Sequence, residues 1–69
     1  MNNRVSKLFA CCLGNRVVII DTNFKDFHAA LKRFEPSCKS NKWFELTFKE
    51  ESEFSQMING KEYYFQRLV

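Results

Sequence analysis

The β-branched run Val-Val-Ile-Ile at positions 17–20 constrains the fold more than any other feature of this sequence. β-branched side chains favour strands, and an uninterrupted apolar run is typical of a strand that is covered on both faces. We therefore predict a central β-strand over Arg16–Asp21.

The residues before this strand predict its hairpin partner. Gly14-Asn15 suits a two-residue turn, because glycine tolerates the positive φ that such turns require. Residues 5–13 would form the partner strand, with Cys12 opposite Val17 and an uninterrupted register beyond that pair. The apolar spacing in residues 5–13 also fits a helix that stops at Gly14, so the helix stays as an alternative.

A helix is predicted to follow the strand. Asn23 can cap its N-terminus, and Glu35-Pro36 closes its C-terminus. Apolar residues recur at spacings of three and four, which places one stripe against a sheet. That stripe contains Phe24, Phe27, Leu31 and Phe34.

Residues 43–49 alternate between apolar and polar side chains. Phe44, Leu46 and Phe48 would share one face, and Trp43 would lie on the other. Alternation with a period of two is typical of a half-buried strand. We therefore predict a strand over these residues.

The Asn-Gly dipeptide at positions 59–60 is a strong signal for a tight hairpin turn. It predicts strands over residues 50–58 and Lys61–Leu68, with Phe54 opposite Phe65. The Glu and Ser content of residues 50–58 is poor for a strand, so a short helix remains the alternative there.

These elements predict an α+β fold with the order ββαβββ, a mostly antiparallel sheet and one helix packed on one face. We expect a single domain over residues 1–69. The second face of the first hairpin would then be apolar and uncovered. It could be covered by a second copy, by another protein, or by Leu68 and Val69 folding back. We favour a homodimer.

The sequence contains no recognisable catalytic, cofactor or metal motif, so we expect neither an enzyme nor a bound cofactor. His28 is the sole histidine, and Cys11, Cys12 and Cys38 lack the spacing of a zinc site. An odd number of cysteines also argues against a disulfide framework. No apolar run is long enough for a membrane helix, and no secretory signal is evident, so we expect a cytoplasmic protein.

Asp21-Thr22-Asn23, at the end of the predicted strand, resembles the opening motif of PIN-domain nucleases. The strand-end aspartate of that family helps to hold a divalent metal, so the resemblance implies a metal-dependent nuclease with Asp21 as a ligand. The resemblance covers only residues 16–23, and the later acids do not match the family's pattern. We interpret these three residues as strand-exit and helix-capping groups.

The leading functional hypothesis is protein binding without catalysis. Hydrophobic residues make up 45% of the chain and aromatic residues 16%, which is typical of a globular protein. Side chains of the kinds enriched at protein interfaces are the candidate contacts. They are Trp43, Tyr63, Tyr64 and Arg67.

Single-stranded nucleic acid is the alternative partner. The net charge is +3, and basic residues on the predicted helix would form a ridge that could follow a phosphate backbone. The candidate contacts are Lys25, His28, Lys32, Lys39 and Lys42, with Trp43 as a stacking platform.

Overall fold

The computed structural model describes residues 7–68 and shows an α+β fold, as predicted. Its elements are β1 (Leu8–Leu13), β2 (Arg16–Asp21), α1 (Phe24–Phe34), α2 (Asn41–Glu50), β3 (Glu53–Ile58) and β4 (Lys61–Leu68). The strands form an antiparallel sheet in the order β2-β1-β4-β3. Neither helix in the described residues has the length and apolar character required to span a membrane.

Two tight turns create the hairpins. Gly14 has a φ of 65° between β1 and β2, and Asn59 and Gly60 have φ values of 53° and 79° between β3 and β4. Positive φ at both central positions is the backbone that an Asn-Gly turn favours. Both predicted hairpins are therefore present, but the predicted strand over residues 50–58 begins only at Glu53, because Glu50 is the last residue of α2. Residues 5 and 6 of the first predicted strand lie outside the described residues.

The register is confirmed across one hairpin and only at the start of the other. Phe54 lies opposite Phe65, as predicted. Cys12 lies opposite Val17, but a β-bulge follows, so that Cys11 faces Ile19. The extra residue in β2 shifts every later pair by one position relative to the predicted register.

The prediction that β2 is a central strand is wrong. Among the described strands it lies at one edge of the sheet, where it pairs only with β1. Val17 and Ile20 are consequently 58% and 54% exposed. The apolar composition of a strand indicates that burial on both faces would suit it. It does not determine the position of the strand in the sheet, which depends on contacts between residues that are distant along the chain.

The predicted strand over residues 43–49 is also wrong, because this segment lies within α2. The Ser40 side chain caps that helix by accepting a hydrogen bond from the Trp43 backbone N–H over 3.3 Å. Phe44 and Phe48, four residues apart, lie on one buried helical stripe, whereas Leu46 is exposed. Residues 7–68 therefore form four strands and two helices instead of the predicted five strands and one helix.

Helix α1 has the predicted N-terminal cap, since the side chain of Asn23 accepts a hydrogen bond from the backbone N–H of Asp26. Its Phe27 and Leu31 are fully buried, but Phe34, the last residue of the predicted apolar stripe, is about half exposed. The stripe thus leaves the core at the C-terminal end of the helix.

Aromatic side chains dominate the core between the helices and one face of the sheet. Phe44 contacts Phe65 with ring centroids 5.0 Å apart, and Phe9 contacts Phe48 at 5.2 Å. Phe54 stacks on Phe65 at 5.3 Å. Both helices pack on this same sheet face, and within residues 7–68 no helix or strand covers the opposite face, which we call the open face.

Candidate binding surface

The open face of the sheet carries the large apolar side chains that point away from the helices. Side chains alternate along a strand, and Phe9 and Cys11 of β1 point into the core, so Leu8, Ala10 and Cys12 point outward. Cross-strand pairing extends this assignment to the other three strands. The exposed large apolar residues of the open face are Val17, Ile20, Met57, Tyr64 and Leu68, each roughly half exposed.

Two of these side chains, Val17 and Tyr64, lie in one row across the strands, which runs from Val17 through Cys12 to Tyr64 and ends at Ser55. The other three lie in separate rows on the same face, with Ile20 opposite Ala10, Leu68 opposite Leu8 and Met57 opposite Glu62. Isolated exposed apolar residues are common on protein surfaces, but a contiguous group marks an interaction site. The arrangement therefore favours contact with an apolar surface of a partner.

The charges on the open face are acidic, although the whole chain has a net charge of +3. In the described parts of the four strands, Glu53 and Glu62 share this face, and no lysine or arginine does. The two carboxylates oppose the approach of a phosphate backbone. They suit a partner whose apolar contact patch has a basic rim.

The four residues predicted to contact a protein do not form one surface. Tyr64 lies on the open face and is 48% exposed. Trp43 is half-buried on α2, with its ring 4.9 Å from Phe44 and 5.9 Å from Phe54. The Trp43 side chain therefore belongs largely to the helix–sheet packing.

Arg67 is also occupied within the protein. Its Nε and Nη2 atoms donate hydrogen bonds to the Phe48 carbonyl oxygen over 3.2 and 2.8 Å. This contact fastens β4 to the C-terminal half of α2. The Arg67 side chain therefore stabilises the packing of β4 against α2 and is not part of the open face.

Tyr63 is a core residue, fully buried on the helix-facing side of β4. Its hydroxyl donates a hydrogen bond of 2.5 Å to the carboxylate of Glu35, which also lies 3.6 Å from the ammonium group of Lys61. Burial, together with this hydrogen bond and the charge of Glu35, raises the pKa of Tyr63 to about 12. A residue buried in this way is not available to a partner.

The residues predicted to bind nucleic acid lie on the helical layer and the loop between the helices. Lys25, Lys32, Lys39 and Lys42 are exposed. His28 is packed against Phe44, with ring centroids 5.7 Å apart, and its Nε2 atom lies 3.0 Å from the Lys39 carbonyl oxygen. The lysines are accessible to a ligand, whereas the histidine mainly joins α1 to the following loop.

A cleft of about 360 Å³ opens where the two helices meet the end of the sheet. Its lining combines three basic side chains with one carboxylate and three phenylalanines. The lining residues are Lys7, Lys49, Arg67, Glu45, Phe9, Phe24 and Phe48. An anionic group could approach it, but Arg67 already donates two hydrogen bonds within the protein.

The cysteines are all free thiols. Cys11 and Cys38 are buried, and Cys12 is half-buried on the open face. Burial, together with the nearby Cys12 and Cys38, raises the pKa of the Cys11 thiol to about 12, so this thiol is a poor nucleophile. Within residues 7–68, no three histidine, cysteine, aspartate or glutamate side chains are grouped closely enough to hold a metal ion.

Asp21 and Asn23 act as the capping groups that we inferred. The Oδ1 atom of Asp21 accepts a hydrogen bond from the Asn23 backbone N–H over 3.0 Å, and the Asn23 side chain caps α1. These contacts account for the short motif that resembles the PIN-domain nucleases.

Sequence reasoning missed Met57 and Ile20 as surface residues. The alternation within the second hairpin was the signal that could have identified Met57, because it pairs with Glu62 on the outward face. Ile20 points outward only because of the bulge, for which the sequence carries no clear signal.

Comparison with known proteins finds no similarity from which function could be transferred. The chain matches no protein-family model, and no curated protein or solved structure is significantly similar to it.

Proposed function

We propose that this chain is a small non-catalytic binding protein that recognises another protein through the open face of its sheet. The observation that carries the proposal is the group of five large apolar side chains on that one face, each roughly half exposed. An accessory, adaptor or inhibitor would act in this way.

The distribution of charge supports a protein partner over a nucleic acid at this face. Glu53 and Glu62 flank the apolar side chains, and the basic side chains of the helices lie on the other layer. The expected partner surface is apolar at its centre and basic at its rim, because that surface would complement both features. The free cysteines are consistent with the cytoplasmic location that we propose.

The test is affinity capture from a lysate of the native host after nuclease treatment, with a pair of matched variants. Met57→Lys combined with Tyr64→Lys introduces charge into the open face. Leu46→Lys does the same at an exposed apolar residue of α2 and serves as the control. Buried ammonium groups are costly to desolvate, so the double variant should lose the partner while the control retains it.

Two results would contradict this proposal. The first is a partner that the double variant captures as well as the wild type, which would place the contact elsewhere. The second is a partner that disappears on nuclease treatment. Circular dichroism of each variant ensures that a loss of capture is not a loss of folding.

Single-stranded nucleic-acid binding remains the second candidate, and one observation favours it. The ammonium group of Lys39 lies 5.7 Å from the centre of the Trp43 ring, next to the exposed lysines of the helical layer. A base stacking near Trp43 should quench its fluorescence, and the affinity should fall steeply with added salt. Fluorescence titrations that stay flat at low salt would exclude this candidate.

A further inference from the structure

The two edge strands of the sheet differ in how they are protected from pairing with another strand. Free edges normally carry charges, proline or other features that discourage such pairing. β3 begins with Glu53 and contains Ser55 and Gln56, so half of its six residues are polar, as in an ordinary edge strand. β2 has only apolar residues between Arg16 and Asp21, which is the composition of a central strand.

Because of the bulge, the side chains of β2 point to the two faces of the sheet in an order that reads the same from either end of the strand. Val17 pairs with Cys12 and points to the open face, as does Ile20. Between them, Val18 packs against the core and Ile19 is buried in it. The order from residue 17 to residue 20 is therefore open, core, core, open. A second copy running antiparallel can match this pattern side for side.

The charges at the ends of β2 are complementary in the same arrangement. Arg16 begins the strand and Asp21 ends it, and within residues 7–68 neither side chain forms an ion pair. An antiparallel second copy that sets Val17 opposite Ile20 also sets Arg16 opposite Asp21. Opposite charges at facing positions stabilise an antiparallel pair, and a twofold axis makes each contact occur twice.

We propose that two copies of this chain pair antiparallel through β2, with Arg16 of each copy opposite Asp21 of the other. This inference goes beyond the proposed function, because the contact is the edge strand β2 and not the open face of the sheet. The result is a continuous eight-stranded sheet in which β2 is a central strand, as its composition predicts. The open faces of the two copies then form one larger surface.

The test is the mass in solution, measured by sedimentation equilibrium over a range of protein concentrations. The wild type should reach twice the 8.2 kDa monomer mass. Arg16→Asp places like charges opposite each other at both ends of the interface and should raise the dimer dissociation constant roughly 30-fold. Combining Arg16→Asp with Asp21→Arg restores opposite charges and should restore the dimer.

The control is Lys42→Asp, which makes the same change of charge at an exposed position in the first turn of α2, away from the sheet edge. It should leave the mass unchanged. Arg16→Asp is the cleaner single variant, because Asp21→Arg also removes the hydrogen bond from the Asn23 N–H. Circular dichroism confirms that each variant is folded.

Three outcomes would overturn the β2 pairing. They are a wild type that remains monomeric at all concentrations, a dimer that Arg16→Asp leaves intact, and a double variant as weak as Arg16→Asp alone. None of these changes affects Met57 or Tyr64. Capture of a partner by a monomeric wild type would therefore remove this inference and leave the proposed function standing. If the wild type is a dimer but captures its partner equally well with Met57→Lys and Tyr64→Lys, the β2 pairing stands and the proposed function falls.

Discussion

Glu35 is a carboxylate buried at the C-terminal cap of α1, where it joins three parts of the chain. Its side chain accepts the hydrogen bond from Tyr63 of β4 and lies near Lys61, and its backbone carbonyl accepts a hydrogen bond from Cys38. A buried charge is tolerated only when it is paired and hydrogen-bonded. The contact therefore fixes where the loop after α1 meets the sheet.

Replacing Tyr63 with Phe should weaken this junction. The substitution keeps the ring in the core and removes the hydrogen bond to a buried carboxylate, so we expect the free energy of unfolding to fall by about 2 kcal/mol. Urea unfolding followed by circular dichroism measures the change. Tyr64→Phe, on the open face, is the matched control and should change stability by less than about 0.5 kcal/mol. Equal effects of the two substitutions would contradict the buried role of Tyr63.

Stability should also decrease at alkaline pH because of the same tyrosine. The pKa of Tyr63 is about 12 in the folded protein, against an ordinary value of 10.0. Between these values the unfolded chain loses the phenolic proton and the folded chain keeps it, so ionisation favours unfolding as the pH rises. The protein should lose roughly 3 kcal/mol of stability as the pH rises from 10 to 12. Below pH 10 the tyrosine is protonated in both states, so no stability is lost there.

Unfolding curves between pH 8 and pH 12 measure this dependence. Cys11 acts in the same direction from about pH 9, because its pKa is also raised to about 12 from 9.0. Tyr63→Phe should therefore make the decline above pH 10 shallower without abolishing it. An unchanged slope in that variant would exclude Tyr63 as a source of the pH dependence.

At the scale of the element, α2 shows why one segment was predicted wrongly. Phe44, Leu46 and Phe48 fit a strand by their alternation, but Phe44 and Phe48 also fit a helix by their spacing of four. Only the position of Leu46 separates the two structures, since a strand would bury it and the helix exposes it. The capping side chain of Ser40 was the local signal for the helix.

Two substitutions in α2 test this assignment. Leu46→Lys should leave stability within about 0.5 kcal/mol of the wild type, because the residue is half exposed. Phe44→Ala removes a fully buried ring and should cost about 3–5 kcal/mol. Thermal or urea unfolding compares the two. A large loss from Leu46→Lys would favour the strand instead.

The elements that the sequence did predict are those with local signals. The turns at Gly14 and at Asn59-Gly60 need particular backbone angles, and Asn23 supplies a cap that begins α1. The edge position of β2 and its bulge have no such signal, because both depend on which strands pair across the sheet. The open face was therefore predictable as a surface, but Ile20 was not predictable as a member of it.

At the scale of the whole molecule, apolar surface and positive charge are separated onto different layers. The open sheet face carries the exposed apolar residues with Glu53 and Glu62, and the helical layer carries exposed lysines such as Lys25 and Lys32. In the proposed function, this separation would let one small chain contact an apolar protein surface on one side while its other side stays charged.

Pairing through β2 would make thermal stability depend on protein concentration. Association stabilises the folded state by mass action, so the unfolding midpoint should rise by roughly 4 °C for each tenfold increase in concentration once most of the protein is paired. Differential scanning calorimetry at several concentrations measures it. Arg16→Asp should show the same rise only at concentrations roughly 30-fold higher, because its dimer is weaker by that factor. A wild-type midpoint that is independent of concentration would contradict the pairing.

The polar edge at β3 has a consequence for how far such an assembly can grow. Once two β2 strands have paired, the outermost strand at each end is β3, which begins with a carboxylate and presents polar residues to an incoming chain. The proposed assembly would therefore stop at two chains. Expressing more of the protein would then change the proportion of complete pairs without producing fibres.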